Sequence, residues 1–301
     1  MIDSPRLKPL LALSLVVMML GMSASFGIAE DSPSNEESQL TQVIEPRSTH
    51  GGLNIPGSVY SASTVFASWN YTCVVLNTNG MKCWGGGAMG RLGDGNWDNS
   101  VYPVTVQLGN NAGISTATEV GAGLSHHTCM MTDSTLQCWG EDWNGQNGHG
   151  SGGGWHGGDG TPVVVHMPTG RTALTVTAGG HHTCSIMDNS SLWCWGQAGS
   201  GQLGTGSFAD QNIPMLVLLP TNASPIAVSA GWDGTCIILQ NNTGMCTGDN
   251  QDGQLGSGTQ ENTSSFTPIS VLPPNSNLSA ISMGVSHTCG LLKMVVSIAG
   301  G

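Results

Sequence analysis

The sequence predicts an all-β fold built from repeated blades, a β-propeller. Three observations predict it. A Thr-Cys dipeptide recurs at Thr72-Cys73, Thr128-Cys129, Thr183-Cys184, Thr235-Cys236 and Thr288-Cys289, spaced by 56, 55, 52 and 53 residues. A second cysteine follows the first four copies nine or ten residues later, at Cys83, Cys138, Cys194 and Cys246. A glycine signature then closes each unit: GRLGDG at 90–95, GQNGHG at 145–150, GQLGTG at 201–206 and GQLGSG at 253–258. A fixed period of this kind marks stacked supersecondary units, and units of this length made of small hairpins match propeller blades.

The elements of the chain follow in order. Arg6 and Lys8 precede the apolar run LLALSLVVMMLGM, and Gly27-Ile28-Ala29 supplies small residues for cleavage, so residues 1–29 read as a signal peptide for export. The run is short for a membrane span of about 20 residues; a retained N-terminal anchor is the other reading. Residues 30–55 carry five acids and one arginine among Ser, Pro and Gly, too little apolar surface to offset ordering, and read as a disordered linker. Repeats then run over approximately 56–110, 111–170, 171–222, 223–275 and, in part, 276–301: about four full units and a partial fifth.

Within a unit, apolar segments flank a turn cluster: Asn77-Thr78-Asn79-Gly80, Asp133-Ser134, Asp188-Asn189-Ser190 and Asn241-Asn242-Thr243-Gly244. Folding each hairpin about its turn sets Cys73 opposite Cys83, Cys129 opposite Cys138, Cys184 opposite Cys194 and Cys236 opposite Cys246. Opposed residues in an antiparallel pair lie about 4.5–5.5 Å apart, within disulfide reach. Free thiols in a reducing compartment are the competing reading. Cys289 is left unpaired, since Ile298 and Ala299 stand where its partner should be. The abrupt loss of the repeat there points to a truncated ring; a small propeller closed by residues 56–65 and an oligomeric ring are the alternatives.

The repeat AGGHHTC…CWG…GQLGTG…P resembles the RCC1 repeat, named for the regulator of chromosome condensation, over roughly residues 56–301. The resemblance implies four-stranded blades, seven in the best-known members, so that this chain would be an incomplete seven-bladed ring. It also implies, from the nuclear members, nucleotide exchange on a small GTPase and chromatin binding. His127, His182 and His287 match the family's histidine, while Tyr71 and Gly234 replace it. Paired cysteines are foreign to the nuclear pattern and look like the decoration of exported, mostly microbial versions, some of whose relatives act as protein inhibitors.

The chemical motifs mostly dissolve into the repeat. His181, His182, Cys184 and Cys194 offer zinc-type ligands, but structural zinc sites place cysteines two to four residues apart, and the fourth repeat keeps both cysteines without the histidine. No Cys-x-x-Cys suggests redox chemistry. Gly85–Gly90 and Gly199–Gly204 satisfy GxGxxG, yet turn-like sequence follows where a dinucleotide site needs a helix. Asp94, Asn96 and Asp98 resemble the start of a calcium loop without its downstream glycine and glutamate. The expectation is therefore no metal, no cofactor and no catalytic residue. The histidines are expected to bond neighbouring backbone, and the Trp of Cys-Trp-Gly to pack on its own disulfide.

A net charge of −12 with seven Lys+Arg opposes phosphate backbones, so no nucleic acid is expected, nor a membrane beyond the anchor reading. The 45 glycines without a triplet period exclude collagen. What lies outside the repeat is Trp97, Trp143, Trp155 and Trp232 on loops, with the insertion HGSGGGWHGGDG at 149–160. Tryptophans among Gly and Asp suit protein or surface-glycan recognition; blade capping is the plain alternative. The expected function is an exported, non-enzymatic binding scaffold. An exchange factor or an extracytoplasmic enzyme of unknown type are the alternatives.

Overall fold

The computed structural model describes residues 62–293 apart from 77–79, 109–116, 123–125, 133–134, 152–156 and 274–275. The signal and linker readings, the Asp133-Ser134 turn, Trp155 and positions 298–299 lie outside the described residues.

The fold is all-β. The first sheet holds β1 (Ala62–Ala67), β2 (Tyr71–Leu76), β3 (Met81–Gly85) and β4 (Ser100–Thr105). The second holds β5 (Ala117–Ala122), β6 (His127–Thr132), β7 (Leu136–Glu141) and β8 (Gly158–Val164). The third holds β9 (Ala173–Ala178), β10 (His182–Met187), β11 (Leu192–Gly196) and β12 (Gln211–Leu216). The fourth holds β13 (Pro225–Ala230), β14 (Gly234–Leu239), β15 (Gly244–Gly248) and β16 (Thr263–Pro268), and a fifth has β17 (Leu278–Met283) and β18 (Thr288–Leu292). Every pairing is antiparallel and follows chain order. First strands of successive blades pack side by side, β1 on β5, β5 on β9, β9 on β13 and β13 on β17. Among the described residues the five sheets do not close into a ring.

Residue chemistry sorts the strands. The second strands β6, β10 and β14 are buried at every position, because each is central in its sheet and covered on both faces. Fourth strands are edges, and Pro103, Pro162, Pro214 and Pro268 sit there, where a missing N–H costs no ladder bond.

The cysteines face each other in register. Four disulfides join Cys73–Cys83, Cys129–Cys138, Cys184–Cys194 and Cys236–Cys246 with Cα atoms 4.1–4.2 Å apart, slightly closer than expected. Cys289 is free and exposed.

The repeat signature is a code for joining blades. Trp139 and Trp195 are fully buried, but each packs against the disulfide of the preceding blade, not its own. Their indole Nε1–H groups donate to Arg91 O at 3.1 Å and Gln146 O at 2.9 Å, carbonyls of the preceding glycine loop. Gly148 explains why that loop needs glycine: its φ is +70°, and a Cβ would stand 2.5 Å from Trp195 Nε1. Where Thr247 replaces the tryptophan, the Phe266 ring fills the seam against Gly204.

The histidines are also seam residues, which corrects the expectation of a backbone partner. His127 Nε2 lies 2.9 Å from Thr183 Oγ1 and His182 Nε2 2.8 Å from Thr235 Oγ1, each threonine on the next blade. Tyr71 substitutes in the first blade, its hydroxyl 2.8 Å from Thr128 Oγ1. Gly234 substitutes in the fourth, where Met283 of the fifth blade occupies the space.

Candidate functional site

Residues immediately before each second strand gather at one end of the blades. Asn70, His126, His181 and Asp233 hold that position, and their carbonyls accept from Gly86, Glu141, Gln197 and Asp249, which end or immediately follow the third strands. In the second, third and fourth blades both side chains of the pair are thereby delivered to the same rim; in the first, Asn70 pairs with Gly86 and supplies the side chain alone. The second residue of each glycine signature reaches back to it: Arg91 Nη1 donates to Asn70 Oδ1 at 2.8 Å, Gln202 Nε2 to Asp233 Oδ1 at 3.2 Å and Gln254 Nε2 to Asp249 Oδ2 at 2.8 Å.

The centre of the rim is aromatic. Trp69 and Trp232, from the first and fourth blades, have ring centroids 6.1 Å apart. His181 meets the Trp232 ring edge-on at 5.7 Å, and His126 lies 6.1 Å beyond. Trp69 is 70% exposed, so much of this surface faces solvent.

Charge lies directly beneath. His181 Nδ1 stands 2.7 Å from Glu141 Oε1 across a blade seam. That contact raises the imidazole pKa against the opposing effect of burial. Burial pushes the Glu141 carboxyl up, but His181, His126 and Arg91 together hold it below its ordinary value. Burial raises Asp233 and, with Arg91 nearby, lowers His126. The rim thus carries the close His181–Glu141 contact beside a tryptophan cluster.

The residues singled out from sequence are distributed differently. Trp232 belongs to the rim. Trp143 is 59% exposed and lies on Gly157; Trp97 is 41% exposed and lies over Gly160 of the next blade, so it also covers a seam. Trp69 was not singled out. Its signal was available, since Trp69 and Trp232 stand three residues before Thr72 and Thr235 in their repeats. The Cys184 and Cys194 sulfurs are bonded to each other, which removes them as zinc ligands. Asp94 accepts from Asn96 through both oxygens, at 3.1 and 3.2 Å, closing its own turn. The GxGxxG segments lead into turns and β4 or β12.

Comparison with known proteins agrees with this architecture. The regulator of chromosome condensation (RCC1) repeat matches residues 189–238 and 246–291, and a second form of the same repeat matches 174–202 and 226–254. The ultraviolet-B receptor UVR8 of Arabidopsis thaliana is 29% identical over 72% of this chain and 48% of its own length. The E3 ubiquitin-protein ligase HERC2 of Mus musculus is 27% identical over 65% of this chain but 4% of its own. The chain therefore spans about half or less of these relatives. Among solved structures, Prp20p from Saccharomyces cerevisiae superposes with a TM-score of 0.68 at 17% identity, covering 80% of this chain and 58% of that one. Human WBSCR16 gives 0.68 at 18% identity, covering 81% and 60%.

Proposed function

Because the chain carries repeats of the RCC1 family, we propose that it is an exported, non-enzymatic propeller scaffold that binds a protein partner through the rim centred on Trp69, Trp232 and His181. The carrying observation is the exposure of Trp69 beside Trp232, which in turn meets His181. Tryptophans surrounded by polar side chains carry a large share of binding energy at protein interfaces. Trp143 extends the same class of surface onto the second blade's loop.

Export is supported by the four disulfides, which persist in oxidising compartments. Prp20p is described as binding Gsp1p and histones. That activity is not the reading favoured for this chain, because a net charge of −12 opposes chromatin and disulfides oppose a reducing compartment. The HERC2 name denotes a ligase, yet the match covers 4% of that protein, so its chemistry does not transfer. The titratable rim groups have partners within the fold: His181 stands against Glu141, and Asp233 accepts from the Gln202 amide.

Three experiments test the reading. Cell fractionation with N-terminal sequencing of the mature chain should find it outside the cytoplasm, starting near Glu30. Trp69→Ala/Trp232→Ala should weaken a partner captured by the wild-type chain about 30-fold or more, as loss of at least 2 kcal/mol requires, without lowering Tm. Equal capture by both proteins would discard the rim as the binding surface. Stimulated nucleotide release from a small GTPase would instead favour the exchange activity.

A further inference from the structure

The second blade contains a set of polar atoms that the fold itself leaves unanswered. Asp142 follows β7 and its side chain is fully buried. Its Oδ1 accepts from Asn147 N at 2.8 Å, but its Oδ2 has no hydrogen-bond partner. Facing that oxygen at 3.6 Å is His149 Nδ1, also buried and unpartnered. Asp159 of β8 completes the group: one ligand atom from each of Asp142, His149 and Asp159 lies within 4.8 Å of the others.

The fourth blade shows one way in which the fold fills this position. Asn250 occupies the equivalent position, and its Oδ1 accepts from Leu255 N at 3.0 Å just as Asp142 Oδ1 accepts from Asn147. Its Nδ2 then donates to Ser257 Oγ at 3.2 Å, Thr259 O at 2.9 Å and Glu261 O at 3.1 Å. There the side chain places a donating nitrogen among oxygens. In the second blade a carboxylate oxygen stands where that amide nitrogen would be, so a donor or a cation facing it would come from another group. Gly87 and Ala198 hold the place in the other two blades and pose no such demand.

We propose that Asp142, His149 and Asp159 bind a divalent transition-metal ion of the Zn2+ class. The mixture of one imidazole and two carboxylates suits such an ion better than Ca2+ or Mg2+, which take oxygen alone. The separation fits as well. Ligand atoms about 2.0–2.2 Å from a tetrahedral zinc stand about 3.4 Å apart, near the 3.6 Å between Asp142 Oδ2 and His149 Nδ1, a distance beyond hydrogen-bond reach.

Supporting groups are already in place around the ligands. Asn147 is fully buried and orients both carboxylates, donating from N to Asp142 and from Nδ2 to Asp159 Oδ2 at 2.8 Å. His149 Nδ1 faces Asp142, while its Nε2 stands 3.8 Å from Asp159 Oδ2 and 2.5 Å from Ser151 Oγ, which holds the ring in place. Outer partners of this kind fix ring orientation at metal sites. The site would brace the loop that carries Trp143 and the glycine-rich insertion.

The test is calorimetric titration of Zn2+ into the EDTA-stripped 301-residue chain carrying Cys289→Ser, which removes the free thiol. One saturable site is expected, together with a rise in Tm at excess Zn2+. His149→Ala and Asp142→Asn should each weaken binding at least tenfold. Asp142→Asn installs the side chain found at Asn250, so its metal-free Tm should equal or exceed that of the parent; His149→Ala, on a partly exposed residue, keeps the test open if the first variant misfolds. Absence of saturable binding, or binding unchanged in His149→Ala, overturns the proposal. Ca2+ competing on equal terms with Zn2+ overturns the assignment of the ion class.

Discussion

Acid should unfold this protein through two histidines that the seams keep neutral. Thr183 Oγ1 donates its one proton to Gln146 O at 2.9 Å, so it accepts from His127, which must carry its hydrogen on Nε2. The same holds for His182, since Thr235 Oγ1 donates to Gln202 O at 2.8 Å. Both Nδ1 atoms are then buried lone pairs with no partner, and a second proton would find no acceptor. Burial first, then neighbouring imidazoles, pushes both groups down to about 3. The native state therefore binds fewer protons than the unfolded chain between the ordinary histidine value of 6.5 and about 3. Stability is fully present above 6.5 and is lost as pH falls through that window. At pH 5 each histidine costs about 2 kcal/mol, from 1.5 pH units at about 1.4 kcal/mol per unit, or about 4 kcal/mol for the pair. His181 acts in the opposite sense: its raised value adds stability below 6.5 that is lost as pH rises. The assay is urea unfolding followed by tryptophan fluorescence at pH 7 and pH 5, on the wild type and on His127→Gln/His182→Gln, which keeps an N–H donor at each seam. Between pH 7 and pH 5 the wild type should lose about 4 kcal/mol more than the double variant, in which the remaining titrating groups are unchanged. A double variant with the wild-type pH slope refutes the seam account.

Further outcomes follow from the same geometry. Cys184→Ala/Cys194→Ala should cost about 2.5–3 kcal/mol from loop-closure entropy over its ten-residue separation, read as a lower urea midpoint, while thiol titration of the native chain should find one reactive group, Cys289. Gly148→Ala should lower Tm far more than Gly253→Ala. Both have positive φ, +70° and +78°, but only the first adds a Cβ inside the Trp195 contact; equal losses would show that backbone conformation alone decides. Phe266→Ala should cost about 3–4 kcal/mol, because that ring replaces the missing tryptophan of the fourth blade. A near-neutral result would mean that Thr247 and Leu203 close the seam without it.

Much of the architecture was legible because it is local and repeated. Hairpin periodicity, turn residues and the distance between paired cysteines are properties of short segments, and each was written several times over, so the all-β blades and opposed cysteines followed from counting. The seams were not legible. A histidine next to Thr-Cys gives no sign that its partner is a threonine more than fifty residues away, and Trp195 gives none that it lies on the Cys129–Cys138 disulfide. The rim was half visible: Trp232 stood out as a departure from the repeat, whereas Trp69 gained meaning when folding set the two rings 6.1 Å apart. The Asp142 cluster escaped because His149 and Asp159 read as insertion residues. Local spacing determined what each blade is; the packing of one blade on the next decided which side chains meet, because those contacts depend on how sheets stack and not on any separation along the chain.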